Sequence, residues 1–116
     1  MAKRGTIVDS PSLVVFCTCP DQAVAERLAA ALVDERLAAC VNLVAGITSI
    51  YRWEDQVQRD SECLLIIKTR QVIYPLLETR LQELHPYETP EIIALPIQAG
   101  AAPYLNWLAA NTETSR

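Results

Sequence analysis

The chain has 116 residues, one domain's worth, with ten Lys or Arg against fourteen Asp or Glu and a formal net charge of −4. A composition that is 51% hydrophobic and 21% charged excludes disorder. Two lysines and no basic cluster exclude phosphate-driven nucleic-acid binding and a membrane-surface role.

Residues 1–11 read as a loose polar tail ending at Pro11, followed by a single domain over residues 12–112. "LVVFCT" (13–18) is a short β-branched apolar run, the signature of a buried strand. In "CPDQAVAERLAAALVDER", Val24, Leu28, Ala31, Leu32 and Leu37 recur at helical spacing; Pro20 suits a first turn and Asp21 the positive end of the dipole. "LAACVNLVAGITSIYRWED" predicts a long strand bent or bulged at Gly46, with Ile47, Ser49, Tyr51 and Trp53 on one face. "EDQVQRDSE" predicts the hairpin connection and "CLLIIKT" (63–69) the return strand. A second helix is expected from Gln71 to Leu84, with Pro75 in its first turn and Pro86 after its end. "EIIALPI" (91–97) is a fourth strand that Pro96 assigns to an edge or a bulge, and "AAPYLNWLAAN" is a short last helix.

The order β-α-β-β-α-β plus a C-terminal helix predicts an α+β, ferredoxin-like fold: a four-stranded antiparallel sheet with both main helices on one face. The other face should then be polar, yet Val14 and Phe16, Leu64 and Ile66, and Ile93 and Leu95 are as apolar as their neighbours. Burying several hundred Å² of such a face would contribute on the order of 10 kcal/mol before association costs. Self-association through the sheet, with closed symmetry, is therefore expected.

Six segments in order carry a family resemblance: "CTCPD", "LAACVN" (38–42 in its core), "SIYRWED" (49–55), "ECLLIIKT" (62–69), "LHPYETPEII" (84–93) and "YLNWL" (104–108). With them the chain resembles the CutA family of divalent-cation tolerance proteins from Leu13 to Leu108. The resemblance implies a homotrimer similar in architecture to the PII signalling proteins, a response to metal ions, and copper or another divalent metal as the bound ion. It implies no organic cofactor. Carried over by position, the family's copper site falls on Cys17 and His85; where some members have a second histidine, this chain has Leu84.

His85, the only histidine, has two readings. Its imidazole suits copper, nickel or zinc, with Cys17 supplying a thiolate. In the last turn of a helix it would equally serve the fold by bonding a free carbonyl. Cys17 and Cys19 form a C-x-C pair whose sulfurs share a strand face, although Cys19, just before Pro20, is expected past the strand end. Cys40 and Cys63 read as core thiols. Tyr51, Trp53, Lys68, Tyr87 and Glu88 supply either interface packing or an inter-subunit cleft holding a small anion, nucleotide or protein partner, a PII-like signalling or scaffold role. Catalysis is not expected: nothing marks an oxyanion hole or orienting third group, and G-x-S-x-G, phosphate-loop, H-E-x-x-H and C-x-x-C patterns are missing. "MAKRGTIVDSPSLVVF" has no signal-peptide apolar run, and the thiols suit a reducing compartment, so the expected location is cytoplasmic.

Overall fold

A computed structural model describes residues 10–113. The strands are β1 (Ser12–Cys19), β2 (Cys40–Trp53), β3 (Gln56–Arg70) and β4 (Ile92–Pro96); the helices are α1 (Gln22–Asp34), α2 (Tyr74–Leu84) and α3 (Ala102–Ala110). The sheet order is β2-β3-β1-β4, antiparallel at every pairing, which is the expected ferredoxin-like topology. β4 is an edge strand, so Pro96 deprives no neighbour of a ladder bond. Most of the expected tail lies outside the described residues. Ser10 and Pro11, its last two, are docked: Val72 N–H donates to Ser10 Oγ (3.1 Å) and Gln71 N–H to the Pro11 carbonyl (2.8 Å).

One sheet face and two helices make the core. Val15, Cys17 and Cys19 of β1 and Cys63, Leu65 and Ile67 of β3 meet Ala25, Leu28 and Leu32 of α1 and Leu77 and Leu81 of α2. Asp21 caps α1, accepting from Val24 N–H at 2.9 Å, a contact worth about 1 kcal/mol. Pro20 therefore precedes the cap instead of lying in the first turn. Helix α2 begins three residues later than expected. Pro75 lacks an N–H, and a start at Gln71 would have asked it to donate within the helix; beginning at Tyr74 puts it where no donor is needed.

The hairpin differs most from expectation. Gln56–Glu62 is not a connection but the first half of β3, paired with β2 from Trp53↔Gln56 to Ile47↔Glu62. The turn is only Glu54-Asp55, both left-handed at φ 51° and 65°. Two positive φ angles match the twist of a two-residue hairpin. Its polar run reads as a loop because both faces of the arm meet solvent: Ile50 on one face is 63% exposed, and Tyr51 and Trp53 on the other are 41% and 47% exposed.

Gly46 sits in the expected bulge, with φ 75°, where Ala45 and Gly46 together oppose Cys63. The extra residue reverses the strand's alternation. Cys40, Asn42 and Val44 occupy the face away from α1 and α2, and beyond the bulge Ile47, Ser49, Tyr51 and Trp53 take over that same face. Helix α3 covers one end of it. Arg70 fastens the helix there, with Nε donating to Thr112 Oγ1 (2.9 Å) and Nη2 to the Thr112 carbonyl (2.7 Å). The rest stays open: Val44, Ile93 and Leu95 are exposed, while Phe16, Leu64 and Ile66 are partly exposed.

Candidate functional site

β1 runs through Cys19, not past it, so the C-x-C pair lies wholly within the strand, and Cys19 sits opposite Cys63 in register. Both Cys17 and Cys19 point into the core and are fully buried. The chain after α2 brings His85 onto the same place, and one ligand atom each from Cys17, Cys19 and His85 lie within 4.8 Å of one another. Cys17 and His85 were the expected pair; Cys19 joins them because strand alternation aims both sulfurs one way. Cys63 is a core thiol as expected, whereas Cys40 is half-buried on the opposite face beside Lys68.

His85 is buried, and both of its ring nitrogens are engaged. Nε2 lies 2.8 Å from the Thr18 carbonyl, which can only accept, so Nε2 carries the proton. Nδ1 then accepts from Tyr87 N–H at 3.1 Å. The neutral imidazole thus clamps the "HPY" turn to the end of β1, and the structural role expected of it is present. The carbonyl it serves belongs to Thr18, 67 residues away, and not to its own helix. The hydrogen bond with Cys19, followed by burial, pushes the Cys17 thiol far above its ordinary pKa, and the same bond holds Cys19 below its own.

On the open side of the sheet, the same turn walls a cleft of about 700 Å³. Tyr51, Trp53, Tyr87 and Glu88 line it, as grouped from sequence; Thr18, Glu62 and Glu91, which sequence reasoning passed over, line it too. Glu62 could have been placed by counting back from a two-residue turn at Glu54-Asp55. Lys68 does not line the part of the cleft that one chain forms. It lies six residues along β3 from Glu62, roughly 20 Å away at about 3.3 Å per residue, and donates to Asn42 Oδ1. The lining that one chain supplies holds three carboxylates and no basic side chain. Tyr87 donates its hydroxyl to Glu62 (2.7 Å); burial and then this bond raise its phenol pKa.

Comparison with known proteins decides the family. The description "CutA1 divalent ion tolerance protein" matches residues 13–111, nearly the whole described chain. The chain belongs to the CutA1 divalent ion tolerance family. The divalent-cation tolerance protein CutA of Thermus thermophilus is 54% identical over 99 residues, 85% of this chain and 96% of that protein. A solved structure of the Thermus CutA1 has TM-score 0.86 at 53% identity, covering 88% of this chain and 99% of that one. CutA1 of Oryza sativa has TM-score 0.87 at 48% identity, covering 90% and 96%. Human CutA is 48% identical over 85% of this chain, but the match spans only 55% of the human protein. CutA proteins are tolerance proteins, not enzymes. Relatives include a chloroplastic form from Arabidopsis thaliana and one called periplasmic from Archaeoglobus fulgidus. Among the described residues no helix is long and apolar enough to cross a membrane.

Proposed function

We propose that this CutA protein is a cytoplasmic homotrimer that binds a divalent ion, copper foremost, weakly at Cys17 and His85 with Cys19 beside them. The observation that carries this reading is the gathering of two sulfurs and an imidazole within 4.8 Å, a donor set suited to soft and borderline ions. Weakness follows from what binding must undo. A thiol must ionise in the core, against the upward push on Cys17, and His85 must release either the Thr18 carbonyl or the Tyr87 amide. Leu84 supplies no ligand where some members have a second histidine. The trimer is supported by the apolar residues left exposed on the open face and on the hairpin arm.

Copper titration of the wild type against a Cys17→Ala/His85→Ala double variant tests the site. Loss of binding in the variant is expected; equal binding by the two proteins ends the metal reading. Light scattering tests the assembly: three chains per particle are expected, and stable single chains at micromolar concentration would refute it.

A further inference from the structure

The C-x-C pair of β1 offers more than a companion to Cys17 and His85. Cys17 and Cys19 are each 0% exposed and sit in the core with Leu28, Leu32, Leu77 and Leu81. Their burial comes from α1 and α2 of the same chain and does not depend on what covers the open face. Strand alternation aims both sulfurs to one side, and they lie within 4.8 Å of each other and of a His85 ring nitrogen. At about 2.3 Å per metal–sulfur bond, one ion reaches both. His85 is the less available donor. Its Nε2–H donates to the Thr18 carbonyl at 2.8 Å and its Nδ1 accepts from Tyr87 N–H at 3.1 Å, so either nitrogen would have to leave a bond that holds the turn. The thiols tie down no other part of the chain so firmly: beyond their bond to each other, Cys17 makes one long 3.9 Å contact with the Thr18 carbonyl.

We infer that Cys17 and Cys19 together hold copper as the monovalent ion, Cu(I), while His85 keeps its clamp. The cluster is still the copper site proposed above, on which this rests; the ligand pair and the oxidation state are what change. Three properties select Cu(I). Both donors are soft sulfurs, which favour Cu(I), whereas Cu(II) favours a tetragonal set of nitrogen and oxygen ligands. Among the described residues no carboxylate gathers with the three ligand atoms, and the sulfurs are fully buried, so solvent does not complete a larger set. A divalent copper ion is therefore short of donors, and zinc takes four ligands where three gather. A d10 monovalent ion accepts two sulfurs alone. Charge points the same way: one thiolate neutralises a monovalent ion and the second sulfur completes the pair, but a divalent ion on one thiolate stays positive in an apolar core.

The test titrates the full chain without oxygen with Cu(I) in competition with bicinchoninate, and separately with Cu(II) followed by paramagnetic resonance. Withdrawal of one Cu(I) per chain from the coloured bicinchoninate complex is expected. Cys19→Ala should weaken it at least about tenfold, and Cys40→Ala, which removes the half-buried thiol of the opposite face, should leave it intact. A second readout needs no variant. His85 is the only histidine, so its ring signals in proton–nitrogen NMR identify themselves, and they should keep the Nε2–H tautomer when Cu(I) is bound. The inference is overturned if Cu(I) stays with bicinchoninate, if Cys19→Ala binds no more weakly than Cys40→Ala, or if the imidazole nitrogen signals move to those of a metal ligand. Where Cu(II) is then bound through Cys17 and His85, the copper site survives and only the Cu(I) inference falls; a chain that takes up copper in neither state ends both.

Discussion

The Nε2–H of His85 donates to the carbonyl of Thr18 across 2.8 Å, joining the turn after α2 to the last turnless stretch of β1. Because Nδ1 simultaneously accepts from Tyr87 N–H, one side chain satisfies two backbone groups from segments far apart in the chain. The same clamp holds Tyr87 where its hydroxyl reaches Glu62, so the buried cluster and the open cleft share a wall.

Replacing His85 by Ala should destabilise the fold by about 2–4 kcal/mol, since it leaves a carbonyl and an amide without partners. Urea unfolding measures it. A loss below about 0.5 kcal/mol would mean that water replaces both bonds without penalty.

Asp55→Gly should stabilise the chain by roughly 0.5–1 kcal/mol. Asp55 holds φ 65° in a two-residue turn, a conformation that glycine adopts without opposition from a Cβ. Part of the gain is offset by the greater freedom of glycine in the unfolded chain. A fall in the urea midpoint would contradict the strain argument.

Arg70→Met should free α3 from the open face. The guanidinium is buried and donates twice to Thr112, so losing it removes the only side-chain tether from β3 to the end of that helix among the described residues. A loss of about 1.5–3 kcal/mol is expected, as for charged hydrogen bonds. Amide exchange should accelerate over residues 102–112 before it does in α1; uniform acceleration would argue against a local role.

All four tyrosines have raised phenol pKa values: Tyr51 through its bond to Asp60, and Tyr74, Tyr87 and Tyr104 chiefly through burial. Folding therefore favours the protonated phenols. Their contribution is complete below the unfolded phenol pKa near 10 and is lost as the pH climbs through the higher folded values. Phenolate absorbance at about pH 10 should thus be well below half-ionised in the native chain and near half in urea, and the melting temperature should fall above that pH. Coincident native and unfolded titrations would refute the shifts.

Element types were legible because they depend on neighbours in the chain. Helical spacing in α1 and the apolar runs of β1 and β3 need only local geometry, and Gly46 announced its bulge through the one residue type free to take φ 75°. Two-sided apolar strands likewise pointed to an uncovered sheet face. Only the β3 half of the hairpin arm, Gln56–Glu62, was illegible, because a polar strand with both faces in solvent carries no apolar alternation to read.

Sequence alone therefore determined the fold's order of elements, the family resemblance and the pairing of Cys17 with His85 as candidates. Tertiary structure decided that Cys19 joins them, that both nitrogens of His85 are already bonded, that Lys68 lies outside the cleft lining one chain supplies, and that Glu62 and Glu91 belong to it. The physical reason is range. Periodicity is imposed by the backbone within a few residues, whereas hydrogen-bond partners and the lining of a pocket come from strand register and loop docking between segments tens of residues apart.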